Sequence, residues 1–272
     1  MLRLNIAMEK DYLDKNKDAW NKKTLFHVAS EFYNMNAFLK GTSSLNPIEQ
    51  GLLGDVKGKS ILHLQCHFGQ DSLSLAREGA KVTGVDFSDK AIEKAREINI
   101  TMGLDAKFIC CDIYNLKEHL NEKFDIVYTS YGTIGWLPDM EKWAAIVAHF
   151  LKPGGKFVFV EFHPVVWMFD NEFSFIEYSY FNREAIEETE SGTYAETNAP
   201  IMTETISWNH DLGEVIGSIL KAGLNIVDFK EYDYSPYECF KNLEETEPGK
   251  YKLKDLKDKI PMLYSLVAKQ VG

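Results

Sequence analysis

Cysteine is scarce and unpatterned. Cys66, Cys110, Cys111 and Cys239 are the four in 272 residues, and no two stand at CxxC spacing. That excludes a cysteine-built zinc site and a disulfide framework, and no metal is expected; the vicinal Cys110–Cys111 reads as strand core. Long apolar runs are also missing. None approaches the roughly 20 residues of a membrane helix, and the N-terminal MLRLNIAMEKDYLDK turns charged too early for a signal peptide. No membrane partner and a cytoplasmic location are therefore expected. Positive charge is in deficit, with 30 Lys and Arg against 41 Asp and Glu and a net charge of −11. Such a surface repels phosphate backbones, which argues against nucleic acid as a partner. The lysines between 250 and 259 alternate with acids, as on a solvated helix or loop, and form no basic patch. Repeats, low-complexity tracts and linkers are absent, so one domain over residues 1–272 is expected, and the oligomeric state stays open.

Regular alternation is what the chain has. Ser60–Leu64, Lys81–Val85, Phe108–Cys111, Phe124–Ser130 and Lys156–Phe162 are short apolar runs that read as strands. Between them lie helical patterns at Asp71–Glu78, ending at Gly79; at Asp89–Ile98, with Ser88 as its cap; and at Lys142–Leu151, stopped by Pro153-Gly154-Gly155. Strands alternating with helices predict βαβ units, a mainly parallel sheet and a doubly wound α/β fold. A further helix at Asp211–Ala222 and strands at Leu224–Lys230 and Met262–Lys269 complete the pattern. Residues 1–55 read as a helical cap, with Tyr12, Trp20, Phe26, Phe32, Tyr33 and Phe38 spaced along 9–40. Residues 169–205, rich in aromatic and acidic side chains, read as an inserted hairpin or lid.

Glycine, too, is sparse where it would be most informative. ILHLQCHFGQDS (Ile61–Ser72) runs from a strand through a tight turn into a helix, a setting in which backbone amides approach a ligand, yet only Gly69 remains at the turn. Seventeen residues later Asp86 ends the second strand in GVDFS, where an acid accepts both ribose hydroxyls of an adenosine. As a mere helix cap Asp86 is less well placed than Ser88 or Asp89. Asp112, in CCDIYNL after the third strand, can accept from an adenine amino group while Ile113 packs on the ring; by itself it is more often a plain loop aspartate. TSYGTIGW (Thr129–Trp136) closes the fourth strand at the crevice where strand order reverses.

Taken together, these segments resemble the class I S-adenosylmethionine-dependent methyltransferases over roughly residues 55–165. The family motif at the first turn is an acid followed by glycines at alternate positions. Here His63 stands for the acid, Gln65 and His67 stand at the first two glycine positions, and Gly69 is kept. The departure resembles an uncharacterised small-molecule branch with the same HLQCH run. DSLSLAREGAKVTGVDFSDKAI and LKPGGKFVFVE match the family's spacing. The resemblance implies S-adenosylmethionine as cofactor and a seven-stranded sheet of order 3-2-1-4-5-7-6 with an antiparallel seventh strand. It implies that Asp86 holds the ribose, Phe87 flanks the adenine, Asp112 and Ile113 contact the base, and Ser130 lies near the methionine portion, with Gln65 and Gly69 also binding the cofactor. The segment Trp20–Tyr33 resembles the family's cap, from which Tyr33 reaches the methionine carboxylate.

A sulfonium methyl is already activated, so the protein's task is to align an acceptor and exclude water, with a base only where the acceptor must lose a proton. His163, in EFHP after the fifth strand, is the candidate base, and a hydrogen-bonded structural histidine is the equal alternative. Tyr131 stands beside it as a catalytic candidate. Trp136, Trp208, His210 and Tyr234, with Tyr237, sit on loops that converge at one sheet edge and suggest a partly apolar pocket for a small-molecule acceptor. The fourth strand ends in neither an NPPY-type motif nor a Pro-Cys nucleophile, as base-modifying enzymes require. Two other functions fit the pattern less well. A nicotinamide-dinucleotide oxidoreductase needs glycines where Gln65 and His67 stand, and a non-catalytic S-adenosylmethionine-binding protein would explain the thinned glycine motif.

Overall fold

The computed structural model describes residues 2–270, with side chains from residue 11 onward. Five strands come first: β1 (Ser60–Leu64), β2 (Lys81–Asp86), β3 (Lys107–Cys110), β4 (Phe124–Ser130) and β5 (Leu151–Phe162). They are followed by β6 (Ile186–Ser191), β7 (Met202–Ser207), β8 (Leu224–Tyr232), β9 (Leu243–Glu247), β10 (Lys250–Leu253) and β11 (Leu263–Gln270). The main sheet has seven strands in the order β3-β2-β1-β4-β5-β11-β8. The first five are parallel, and β11 runs antiparallel to both β5 and β8. This is the expected order, with β8 as the sixth strand of the sheet and β11 as the seventh.

The period-2 alternation of the strands explains how the sheet is buried on both faces. Leu62, Leu64, Val127, Phe157 and Phe159 point to one face, and Ile61, Ile126, Tyr128 and Val158 to the other. The first face is covered by α6 (Leu116–His119), α7 (Met140–Phe150) and α8 (Leu212–Lys221). The second is covered by α4 (Gln70–Arg77) and α5 (Asp89–Thr101). Three helices begin on side-chain caps: Ser88 accepts from Ala91, Asp139 from Lys142 and Asp211 from Glu214, each contributing about 1 kcal/mol. Pro153-Gly154-Gly155 does not end α7, which stops at Phe150. It lies within β5, where the register with β4 shifts between Phe124 and Ile126.

The N-terminal region holds α1 (Leu2–Ala29), α2 (Met35–Leu39) and α3 (Pro47–Leu53). Asn16, buried on α1, donates to Ile206 O at 2.7 Å and accepts from Ile206 N at 2.8 Å, so a side chain pairs with β7 as a strand would. The insertion is the antiparallel hairpin β6–β7. It meets α1 again through Lys23 and Glu190 at 3.0 Å and through Lys15 and Glu187. Lys250–Leu253, expected as solvated helix or loop, instead forms the β9–β10 hairpin. Cys110 and Cys111 are only half-buried rather than strand core. No helix among the described residues is long and apolar enough to cross a membrane.

Candidate active site

The first turn keeps the backbone of a glycine motif without the glycines. Gln65, His67 and Gly69 have φ of 55°, 50° and 78°, the left-handed region at all three alternate positions. For the two non-glycine residues this costs about 1–2 kcal/mol each, a strain that neighbouring contacts must offset. Gln65 donates to Thr133 O at 2.7 Å, and the His67 ring lies 2.9 Å from His27 Nδ1 on α1. Gly69 is needed for a different reason: a Cβ there would come within 2.7 Å of the Phe108 ring. It caps α4 and packs against the sheet rather than lining the cleft.

A cleft opens over the carboxyl ends of β1, β2 and β3. Gln65, Asp86, Phe87, Cys111, Asp112 and Ile113 line its floor, Tyr12, Leu13 and Asn16 of α1 its roof, and Trp136 one end. Asp86 accepts from the His67 amide at 2.8 Å and the Ser88 amide at 2.9 Å, one bond to each oxygen. These bonds aim the carboxylate, while burial pushes its pKa up to about 6. Asp112 accepts from the Tyr114 amide at 3.0 Å.

Three of the buried polar atoms without a partner cluster at one end of this cleft: Gln65 Oε1, Trp20 Nε1 and His27 Nε2. Trp20 packs edge-on to both His67 and Trp136, at 5.2 and 5.4 Å between ring centres. Unpaired buried polar atoms cost about 1–3 kcal/mol each, so their concentration marks a place shaped for a polar ligand. Burial holds His27 down to about 2 and His67 down to about 3, so both are neutral. His63, where the family has an acid, is likewise held down to about 3; it bonds Ser72 at 2.8 Å and stacks on Tyr128.

Beyond His67 an aromatic wall links cap, lid and sheet. The Tyr33 hydroxyl bonds that of Tyr194 in the lid. Phe32 lies edge-on to Tyr33, Tyr194 and Tyr237, and Tyr237 lies edge-on to Tyr131 at 5.4 Å. Tyr131 itself has φ 51°, and its hydroxyl donates to Glu49 Oε2 at 2.5 Å. Ser130 accepts from the Tyr128 hydroxyl at 2.8 Å at the base of the same region. The Gly132–Ile134 loop is gathered by Glu161, buried on β5, which accepts from the amides of all three residues and from the Thr133 hydroxyl.

The structure redistributes several of the expected residues. His163 does not face the crevice. Its Nδ1 accepts from the Val165 amide at 3.2 Å, and its Nε2, buried and without a hydrogen-bond partner among the described residues, lies 3.1 Å from Glu231 on β8. His163 follows the end of β5 at Phe162, and its amide donates to Met262 O at 2.9 Å, which carries it toward β11 and β8. His210 is a structural tie, with Nε2 on Leu137 O at 2.8 Å and Nδ1 on Glu214 at 3.1 Å. Trp136, expected in an acceptor pocket, lines the cleft over β1–β3. Trp208 backs that cleft through an edge-on contact with Tyr12 at 5.2 Å. Tyr234 lies in an outer groove with Lys250, Ile260 and Pro261, whereas Tyr237 joins the aromatic wall. Tyr33 stands on this wall too, beyond His67, and not in the cleft. Glu49, Asp71, His27, Trp20 and Tyr194 were not singled out from sequence; Asn46-Pro47-Ile48-Glu49 carries only a helix-cap signal.

Residues 61–155 match the family described as a methyltransferase domain. Among curated proteins the chain is similar to the ubiquinone biosynthesis O-methyltransferase of Idiomarina loihiensis, 29% identical over 53% of this chain and 61% of that protein. The chain thus spans about three fifths of the length of the curated relatives it matches. Among solved structures it is similar to an S-adenosylmethionine-dependent methyltransferase from Clostridium acetobutylicum, with a TM-score of 0.57 and 18% identity over 94% of this chain and 99% of that one. It is also similar to the DhpI–SAH complex, with a TM-score of 0.55 and 16% identity over 96% and 97%. Residues 61–155 thus match a methyltransferase domain, and the chain as a whole has the fold of these S-adenosylmethionine-dependent methyltransferase structures.

Proposed function

We propose that this chain transfers a methyl group from S-adenosylmethionine to a small-molecule acceptor. The observation that carries the proposal is the cleft, in which Asp86, Phe87, Asp112 and Ile113 lie together beneath α1 in a class I methyltransferase fold. The residues suit the cofactor. Each Asp86 oxygen has accepted one backbone N–H and retains acceptor capacity for a ribose hydroxyl. Phe87 and Ile113 offer apolar contact to a base, and Asp112 a carboxylate to its amino group. Gln65 Oε1, an acceptor, and Trp20 Nε1, a donor, suit the ammonium and carboxylate of a methionine portion. When bound, the cofactor supplies an electrophilic methyl on a sulfonium. The protein's contribution is alignment and the exclusion of water by α1 and the lid.

An acceptor bearing a hydroxyl is favoured by the similarity to ubiquinone biosynthesis O-methyltransferases. The wall of Phe32, Tyr33, Tyr131, Tyr194 and Tyr237 favours a planar, partly apolar one. The test is a metabolite-pool screen with methyl-labelled S-adenosylmethionine. Label appearing in a small hydroxylated compound is the expected result, and label in none of the pool would reject transfer to a small molecule.

A further inference from the structure

The strand-end tyrosine and a carboxylate from the cap form a pair whose chemistry goes beyond cofactor binding. Glu49 is fully buried, at 0% exposure, on a helix held at both ends. At the N-terminal end its Oε1 accepts from the Asn46 amide at 2.5 Å and the Asn46 side chain at 3.1 Å. At the C-terminal end the Lys156 ammonium donates to Leu52 O at 2.7 Å and Leu53 O at 2.9 Å. The other oxygen of Glu49, Oε2, has one partner, the Tyr131 hydroxyl. Tyr131 is placed by a left-handed backbone and by its amide bond to Val160 O at 2.8 Å. A tyrosine hydroxyl has one proton, and here it goes to Glu49, so the lone pairs of its oxygen are what it presents to other molecules.

We infer that Tyr131 and Glu49 form a proton relay that deprotonates a hydroxyl acceptor during methyl transfer. The inference rests on the methyltransferase reading above. In the step, the acceptor O–H bond breaks and its proton passes to the Tyr131 oxygen as the Tyr131 proton passes to Glu49 Oε2. The acceptor oxygen forms its bond to the methyl carbon, and the methyl–sulfur pair returns to sulfur. The positive charge lost at sulfur reappears as the proton that neutralises Glu49. Tyr131 is the catalytic residue, touching the acceptor, and Glu49 acts through it. His163, whose Nδ1 accepts from Val165 and whose Nε2 lies beside Glu231 on β8, has no part in this.

The groups facing Glu49 agree with the assignment. Asp71 at the start of α4 and Tyr128 on β4 are its electrostatic neighbours besides Tyr131, and among the described residues no cation pairs with Glu49 or Asp71. Burial, reinforced by Asp71, pushes the Glu49 carboxyl up to about 7 against the opposing Tyr131 and Asn46 bonds. A base is most effective when its pKa lies near the working pH.

The test uses the full chain with 4-nitrocatechol as a chromogenic hydroxyl acceptor, together with the infrared carboxyl band and calorimetry of S-adenosylhomocysteine binding. In the wild type, kcat should rise with pH to a plateau above about 7, and a carboxyl band should titrate with the same midpoint. Glu49→Gln should remove both the band and the acid limb and lower kcat by at least about a hundredfold, leaving KM for the acceptor within about threefold. Glu49→Asp should restore part of kcat, and Tyr131→Phe should lower kcat as Glu49→Gln does while shifting the band. Unchanged S-adenosylhomocysteine affinity reports that each variant is folded. A Glu49→Gln variant that keeps the acid limb or the band would overturn the relay, as would Tyr131→Phe with wild-type kcat. Wild-type protein that binds S-adenosylhomocysteine yet shows no carboxyl titrating near pH 7 would overturn the relay alone. Absence of cofactor binding would instead reject the methyltransferase reading.

Discussion

Glu49 is a carboxyl group held out of water, and its proton links pH to stability. Its pKa rises from 4.5 to about 7 on folding, so the native state binds the proton more tightly. The associated stability is fully present below 4.5 and is lost as pH rises through 7. Glutamine carries no such charge. The melting temperature of Glu49→Gln relative to wild type should therefore rise between pH 5 and pH 8, by the equivalent of about 1–3 kcal/mol. The difference between the two proteins is the useful quantity, because neutral His27, His63 and His67 act in the opposite direction, losing stability as pH falls below 6.5. Thermal melts of both proteins across this range check the sign. Gly69 gives a second residue-scale expectation. Alanine there meets the Phe108 ring at 2.7 Å with φ at 78°, and should cost about 2 kcal/mol or more in denaturant unfolding. At Gln65, whose φ is also positive, glycine relieves backbone strain and loses the bond to Thr133, so its stability should stay within about 1 kcal/mol of wild type.

The lid is an element that depends on another element. The β6–β7 hairpin reaches α1 through the double bond of Asn16 to Ile206 and the ion pair of Lys23 with Glu190, and reaches the Tyr33 turn through Tyr194. Asn16→Ala leaves both polar groups of Ile206 without their partner, at a cost of about 1–3 kcal/mol. Hydrogen exchange should accelerate across 202–207 and remain unchanged in β4 and β5; equal exchange everywhere would mean that Asn16 does not hold the hairpin. Elements were legible in sequence to very different degrees. β4 matches its expected bounds because Phe124–Ser130 is a continuous apolar run between polar turns. Ser88 was legible as a cap because its side chain acts on the next turn of its own helix. The β9–β10 hairpin was not, since the charges in KYKLKDLKDK occupy a strand on the protein's periphery as readily as a helix. The surroundings of His163 were not legible either, since Glu231 and Met262 come to it from distant parts of the chain.

At the scale of the whole molecule, the site is assembled from segments that no local pattern connects. Trp20 and His27 from α1, Glu49 from α3, His67 from the first turn, Tyr131 after β4 and Tyr194 from the lid are separated by tens of residues and meet around one sheet edge. The cleft-lining residues fixed by the sheet, Asp86, Phe87, Asp112 and Ile113, are legible in sequence because each stands at or just after a strand end. Sequence did not expose the parts brought by the cap and lid, whose aromatics read equally well as packing. The unusual first turn joins the two sets. Gln65 and His67 retain the left-handed path of a glycine motif while adding side chains that contact Thr133 and His27. The central claim is that the resulting cleft holds S-adenosylmethionine through Asp86, and titration calorimetry tests it most directly. Wild-type protein should bind S-adenosylmethionine and not NADH, and Asp86→Asn should weaken binding by about tenfold or more, the loss of a hydrogen-bonded charge. Binding of NADH without S-adenosylmethionine, or an Asp86→Asn affinity equal to wild type, would contradict it.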